Sequence, residues 1–197
     1  MDKLKDLFNE HKGFARMQQL RSNGIQTRTI ATAVENKIIE KIKPGLYKLV
    51  EYHWDEHESF ADVCNSNNKA IICLTSSASY YGLTTFNPSY ITVAVPHNTP
   101  GFKLDYPPNQ VYYFPHKYYE TGINERETKS GLIRIYDQEK TICDLFRYQN
   151  KIGDDIVIES LKNYLKQKRK DINKLIKYSE SLNVKEKILL YVKAIVG

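Results

Sequence analysis

An α+β fold in two parts is what this 197-residue sequence predicts, on three observations. Apolar residues recur at helical spacing as far as Val34, two strand-like runs then flank Lys43-Pro44-Gly45, and from Lys69 onward strands come in one block and helices in another. Blocks of strands and helices, rather than strict alternation, favour a mixed or antiparallel sheet with helices packed to one side. The expected division is residues 1–50, an acidic linker and helix at 51–68, and a larger C-terminal domain at 69–197 with a helical tail. At 23.0 kDa and 41% hydrophobic residues, the chain can bury two modest cores.

Leu4, Leu7 and Phe8 predict a first short helix that Gly13 ends, and Met17 and Leu20 a second, from about Ala15 to Ser22, that stops at Asn23-Gly24. A third is expected to begin with Thr27 as its N-cap, turning Ile30, Ala33 and Val34 to one side and Arg28, Thr29, Thr32, Glu35 and Asn36 to the other. The period then becomes that of strands, Ile38–Ile42 and Leu46–Leu49, with the turn between them set by Pro44 and Gly45. Three short helices followed by a hairpin make a winged helix-turn-helix, expected to bind DNA. A helix in the major groove needs side chains that reach base edges, and Arg28, Thr29, Thr32 and Asn36 are suitable types. The hairpin needs cations for phosphates, and Lys41, Lys43 and Lys48 are present. An ordinary solvated helix and hairpin would look similar, since exposed lysines also guard strand edges.

Charge is distributed as a polyanionic partner would require. Residues 1–50 hold ten Lys/Arg against five Asp/Glu, residues 51–68 hold five acids and no base, and residues 151–197 hold eleven against six. The densest run is "KQKRK", where Lys166, Lys168, Arg169 and Lys170 stand near Lys162, Lys174 and Lys177. It is either a solvated helix end or a surface for flanking DNA or for something acidic. His53 and His57 stand four apart, a spacing that can hold metal on a helix, but no further ligand accompanies them and surface histidines are the preferred reading. Trp54 reads as an anchor, and Cys64, Cys73 and Cys143 as buried thiols. No cofactor or metal is expected. With no apolar leader-like segment and no apolar run of about twenty residues, the expected place is the cytoplasm, without a membrane partner.

In the second half, "AIICL" reads as a short buried segment, "SSASYYGL" as a helix ended at Gly82, and "YITVAVP", "QVYYF" and "GLIRIYD" as strands. Asp137 is expected to cap "QEKTICDLFRYQ", and Asp154, Asp171 and Asn183 to start later helices. Glu139, Thr141 and Asp144 on one helix could form a paired-polar catalytic site. The preferred alternative is that Glu139 supports the helix N-terminus and Asp144 pairs with Lys140 or Arg147. No phosphate-binding loop, dinucleotide fingerprint, zinc-protease motif or nucleophile elbow occurs, and Ser76, Ser77 and Ser79 lack His/Asp company. The chain is therefore not expected to be an enzyme.

The segments "SSASYYGL", "YITVAVP", "SGLIRIYDQEKTICDLFR" and "IVIESLKNYLKQKRKDINKLIKYSESL", with the wing "KPGLYKL", resemble in order and spacing the abortive-infection AbiEi antitoxin family of bacteria. The resemblance covers nearly the whole chain, least over residues 51–68; Lys140 stands where that family's pattern has Arg, and Pro44 where a base is commoner. It implies a winged helix that represses transcription at inverted repeats in its own promoter. It also implies a C-terminal domain that counters a nucleotidyltransferase toxin without a stable complex, in a type IV toxin-antitoxin system serving phage defence. On this reading the protein is a monomer in solution that associates on DNA. A toxin-modifying enzyme, or a stand-alone regulator with a ligand-sensing C-terminal domain, is the alternative.

Overall fold

The computed structural model describes residues 2–52, 57–100, 102, 104 and 106–196. The fold is α+β, and the chain divides into two compact units: Met1–Asn68 with Phe102–Pro108 and Arg126–Ile133, and Lys69–Gly101 with Asn109–Glu125 and Arg134–Gly197.

The first unit runs α1 (Asp2–Glu10), β1 (Phe14–Arg16), α2 (Met17–Ser22), α3 (Thr27–Glu35), β2 (Ile39–Lys43), β3 (Leu46–Leu49) and α4 (Glu58–Ser66). Its sheet is antiparallel in the order β1-β3-β2. Leu4, Leu7 and Phe8 of α1, Leu20 of α2, and Ile30 and Ala33 of α3 converge with Ile39, Tyr47 and Leu49 into one core. Three-to-four-residue spacing on the helices and two-residue spacing on the strands aim these side chains inward.

Two expectations need correction here. Phe14–Arg16 is a strand, not the start of the second helix: Ala15 lies opposite Tyr47, and three extended residues are too few to show a period. The N-cap of α3 is Gln26, and Thr27 is already helical, with no side-chain cap at that end.

The second unit follows as β4 (Ile71–Ile72), α5 (Leu74–Tyr80), β5 (Ile91–Pro96), β6 (Asn109–Phe114) and α6 (His116–Tyr119), and it includes β7 (Ile123–Thr128) as far as Glu125 and β8 (Gly131–Tyr136) from Arg134. Five helices close it: α7 (Gln138–Arg147), α8 (Gln149–Ile152), α9 (Asp154–Lys166), α10 (Ile172–Ser181) and α11 (Lys185–Val196). The sheet order is β6-β5-β4-β8-β7, mixed because β4 is antiparallel to β5 but parallel to β8, while β5 and β6 are parallel. β7, "INERET", was not among the expected strands; its middle residues are charged and exposed, as an edge strand's are. Asp137 and Asp171 cap α7 and α10 by accepting from Lys140 N and Lys174 N at 2.8 and 2.9 Å. Cys64, Cys73 and Cys143 are buried and form no disulfide.

Candidate nucleic-acid interface

The presentation of α3 is set by the turn before it. α2 closes through Gly24 N–H to Arg21 O and Ile25 N–H to Leu20 O, both 2.9 Å, with Gly24 at φ +79°. A Cβ at Gly24 would meet only Lys3 Nζ at 3.7 Å, so backbone conformation rather than space requires glycine. With Ile30 and Ala33 turned into the core, Arg28, Thr32 and Asn36 stand exposed and Thr29 half-buried. Steps of four place Arg28, Thr32 and Asn36 in one stripe about 12 Å long. Glu35 is exposed beside it.

The hairpin is built from β2 and β3, whose register shifts between Lys41 and Lys43. Gly45 at φ +81° makes the tip, and its carbonyl accepts from Met17 N–H at 2.8 Å, tying the hairpin to the start of α2. Lys41 is exposed. Lys43 is half-buried, and burial, followed by the charge of Arg16, lowers its pKa. Arg16, exposed at the end of β1 and reaching Asn65 O at 3.3 Å, is a cation the sequence reading missed. Phe14–Arg16, inward-inward-outward, shows no strand alternation, so nothing local marked the strand that presents Arg16.

Lys48 is corrected. It is 4% exposed, and its Nζ donates to Glu58 Oε1 at 2.7 Å and Asp62 Oδ2 at 3.0 Å. β3 is the central strand and all four of its residues are buried, so both of its faces are covered, and α4 meets the face that carries Lys48. Burial opposes the ammonium charge, but the two carboxylates outweigh it and raise the Lys48 pKa. Burial pushes Asp62 up to about 6 despite the attraction of Lys48. A lysine held this way is an internal brace and reaches no phosphate.

No family model matches the chain, and no curated protein does. The chemistry of each site therefore stands on its own residues.

In the second unit, Lys162, Lys166, Lys168, Arg169 and Lys170 are all exposed, on the last turns of α9 and the loop into α10, with Lys170 Nζ donating to Gln167 O at 3.1 Å. Lys174 leaves that cluster: its Nζ pairs with Asp137 Oδ2 at 3.0 Å and Glu139 Oε2 at 3.3 Å. Glu139, Thr141 and Asp144 of α7 are engaged internally. Glu139 accepts from Tyr164 Oη at 2.8 Å, and Thr141 donates to Asp137 O at 2.7 Å and lies 2.9 Å from Ser77 Oγ. Asp144 pairs with both Lys140 and, at 3.0 Å, Arg147. Lys140 is fully buried, with Nζ 4.2 Å from the Tyr136 ring centroid and 4.8 Å from that of Phe114. Burial raises the Asp144 pKa and lowers that of Lys140, each countered by the partner's charge.

His53 and Trp54 lie outside the described residues, and His57 precedes α4, 6.2 Å from the Phe60 ring in a stacked arrangement. Among the described residues no group of three His, Cys, Asp or Glu could hold a metal ion, and no helix is long and apolar enough to cross a membrane.

Proposed function

We propose that the chain is a winged-helix transcriptional repressor that reads inverted repeats in its own promoter. We propose further that it serves as the antitoxin of a type IV, phage-defence toxin-antitoxin system in the cytoplasm. The observation that carries the first part is the element order α1-β1-α2-α3-β2-β3 with the sheet order β1-β3-β2. A helix-turn-helix with a hairpin wing would have that order, and α3 keeps its stripe of Arg28, Thr32 and Asn36 in solvent. Arginine can bond a guanine edge in two places, asparagine an adenine edge, and threonine can serve either a base or a phosphate. Lys41, Lys43 and Arg16 supply charge for the backbone.

The antitoxin part rests on the resemblance of the second half to the AbiEi pattern. Its most specific block, "DQEKTICDLFR", is the helix whose carboxylates are spent on internal pairs, which favours action by binding over catalysis. The toxin is then a functional partner, a nucleotidyltransferase countered without a stable complex, and the protein is a monomer that gathers on DNA. Lys162, Lys166, Lys168, Arg169 and Lys170 offer an accessory surface for DNA or for whatever acidic species links antitoxin to toxin.

Two readouts test the reading. A gel-shift titration on the upstream promoter should show tighter binding than on shuffled DNA of the same length. Co-expression with the neighbouring toxin should restore growth in wild type, and neutralising Lys166, Lys168, Arg169 and Lys170 together should lower promoter affinity or rescue. Equal affinity for both DNAs defeats the repressor, and failure to rescue defeats the antitoxin.

A further inference from the structure

The second unit holds a cavity of about 370 Å³ at one end of its sheet, a size within the range of small-molecule sites. It lies where three strands end together. β5 and β6 are parallel and stop level with each other, Pro96 opposite Phe114. The antiparallel register of β4, with Ile71 opposite Ala94, brings the chain at Lys69 to the same level. The cavity therefore opens beyond the carboxyl ends of two neighbouring parallel strands, where open α/β sheets commonly receive ligands. His97 and Asn98 follow β5 directly, and His116 follows β6 after Pro115. All three line the cavity with Tyr119 and Glu120.

Hydrogen bonds fix these segments. His97 N–H donates to Phe114 O and Thr99 N–H to Pro96 O, both at 2.9 Å, which sets the turn carrying His97 and Asn98. Tyr119 Oη donates to Lys69 O at 2.8 Å, and the fully buried Tyr136 donates its hydroxyl to Tyr119 O at 2.8 Å. Neither histidine is needed by the core: both are exposed, and His116 Nε2 has Glu120 Oε1 at 3.5 Å. Two imidazoles and a carboxamide on two braced turns, beside a tyrosine ring and one carboxylate, define what fits. Donors on separate turns suit the several terminal oxygens of a phosphate better than the two of a carboxylate. The ring and the remaining volume accommodate a carbon body, and Glu120 accepts from a hydroxyl or amino group.

We propose that this cavity binds a small organic phosphate monoester, its phosphate between His97, His116 and Asn98 and its body against Tyr119. The proposal is independent of the DNA reading. The test uses the full chain and follows the histidine side-chain signals by NMR during titration with AMP, ribose 5-phosphate, inorganic phosphate and adenosine. AMP or ribose 5-phosphate should shift both His97 and His116 saturably, and adenosine neither. Tighter binding of AMP assigns a nucleotide, and equal binding assigns the sugar phosphate. The double variant His97→Ala/His116→Ala should bind about tenfold more weakly or worse, roughly the worth of one charge-assisted hydrogen bond, while Lys193→Ala, outside the lining, binds as wild type does. For the double variant, whose own signals are gone, the backbone amides of Asn98 and Tyr119 report binding. The proposal is overturned if neither monoester shifts the histidines, if the double variant binds like wild type, or if inorganic phosphate binds as tightly as the monoesters.

Discussion

Lys41 and Lys48 are separated by seven positions and have opposite fates, and the difference is where their strands sit. Lys41 is on the outer strand β2 and exposed, whereas Lys48 is on the central strand β3 and locked between Glu58 and Asp62. Lys48→Ala should cost about 3–5 kcal/mol of stability, because it leaves two partly or fully buried carboxylates without their cation. Lys41→Ala should leave urea unfolding unchanged within about 0.5 kcal/mol and flatten the salt dependence of DNA binding by about one unit of slope. Urea titrations and salt-titrated binding of the two variants check both, and a reversed pattern would reassign the residues. Asp62 adds a pH signature. Its folded-state pKa, about 6, lies above its ordinary value of 3.8. The stability it contributes is thus full below about pH 4 and is lost as pH rises through 6, by up to about 3 kcal/mol. Asp62→Asn should remove that step, so the stability difference between the two proteins should change between pH 4 and pH 6 and level off above. A difference independent of pH would contradict the assignment.

Glycines that shape the elements differ in what they require. Gly45, at the hairpin tip, has φ +81° and nothing within 4 Å of an added Cβ, so Gly45→Ala should cost about 1 kcal/mol for conformation alone. Gly122, before β7, has φ +74°, and its Cβ would stand 2.7 Å from Lys140 Cβ and 3.0 Å from Asp137 Oδ2. Gly122→Ala should therefore lose more, about 2–4 kcal/mol, because it also displaces the capped start of α7. Thermal or chemical unfolding of the pair measures the contrast, and equal losses would mean that the contact at Gly122 relaxes freely. The elements legible in the sequence were those with an apolar run or period of their own: α1, α3, the hairpin strands β2 and β3, α4, α5, β5, β6, β8, α7 and the helical tail. β1, with three residues, was absorbed into the helix that follows it. β7 was missed because "NERE" has no apolar face to announce a strand. In each case the partner strand decides the conformation, and pairing between distant segments leaves little local trace.

Across the whole molecule, the sites divide the same way. The exposed residues of the candidate interface, Arg28, Thr32, Asn36 and Lys41, were legible because a helix or outer strand with one buried face fixes what the other face shows. Lys48 and Lys174 were misread as surface cations because their carboxylate partners come from other elements: Glu58 and Asp62 on α4, Asp137 and Glu139 at the start of α7. The acidic stretch 51–68 thus supplies, through Glu58 and Asp62, an electrostatic clasp on β3 besides joining one part of the chain to the next. The cavity beside His97 and His116 left no sequence signal at all, since it depends on the parallel register of β5 and β6. Whether α3 reads base edges is decided by the affinity of Arg28→Ala for the upstream promoter against shuffled DNA at fixed salt. A helix that reads bases should make the variant lose about 1–3 kcal/mol on the promoter and much less on shuffled DNA, so that specificity falls with affinity. Unchanged promoter affinity, or an equal loss on both DNAs, would contradict it.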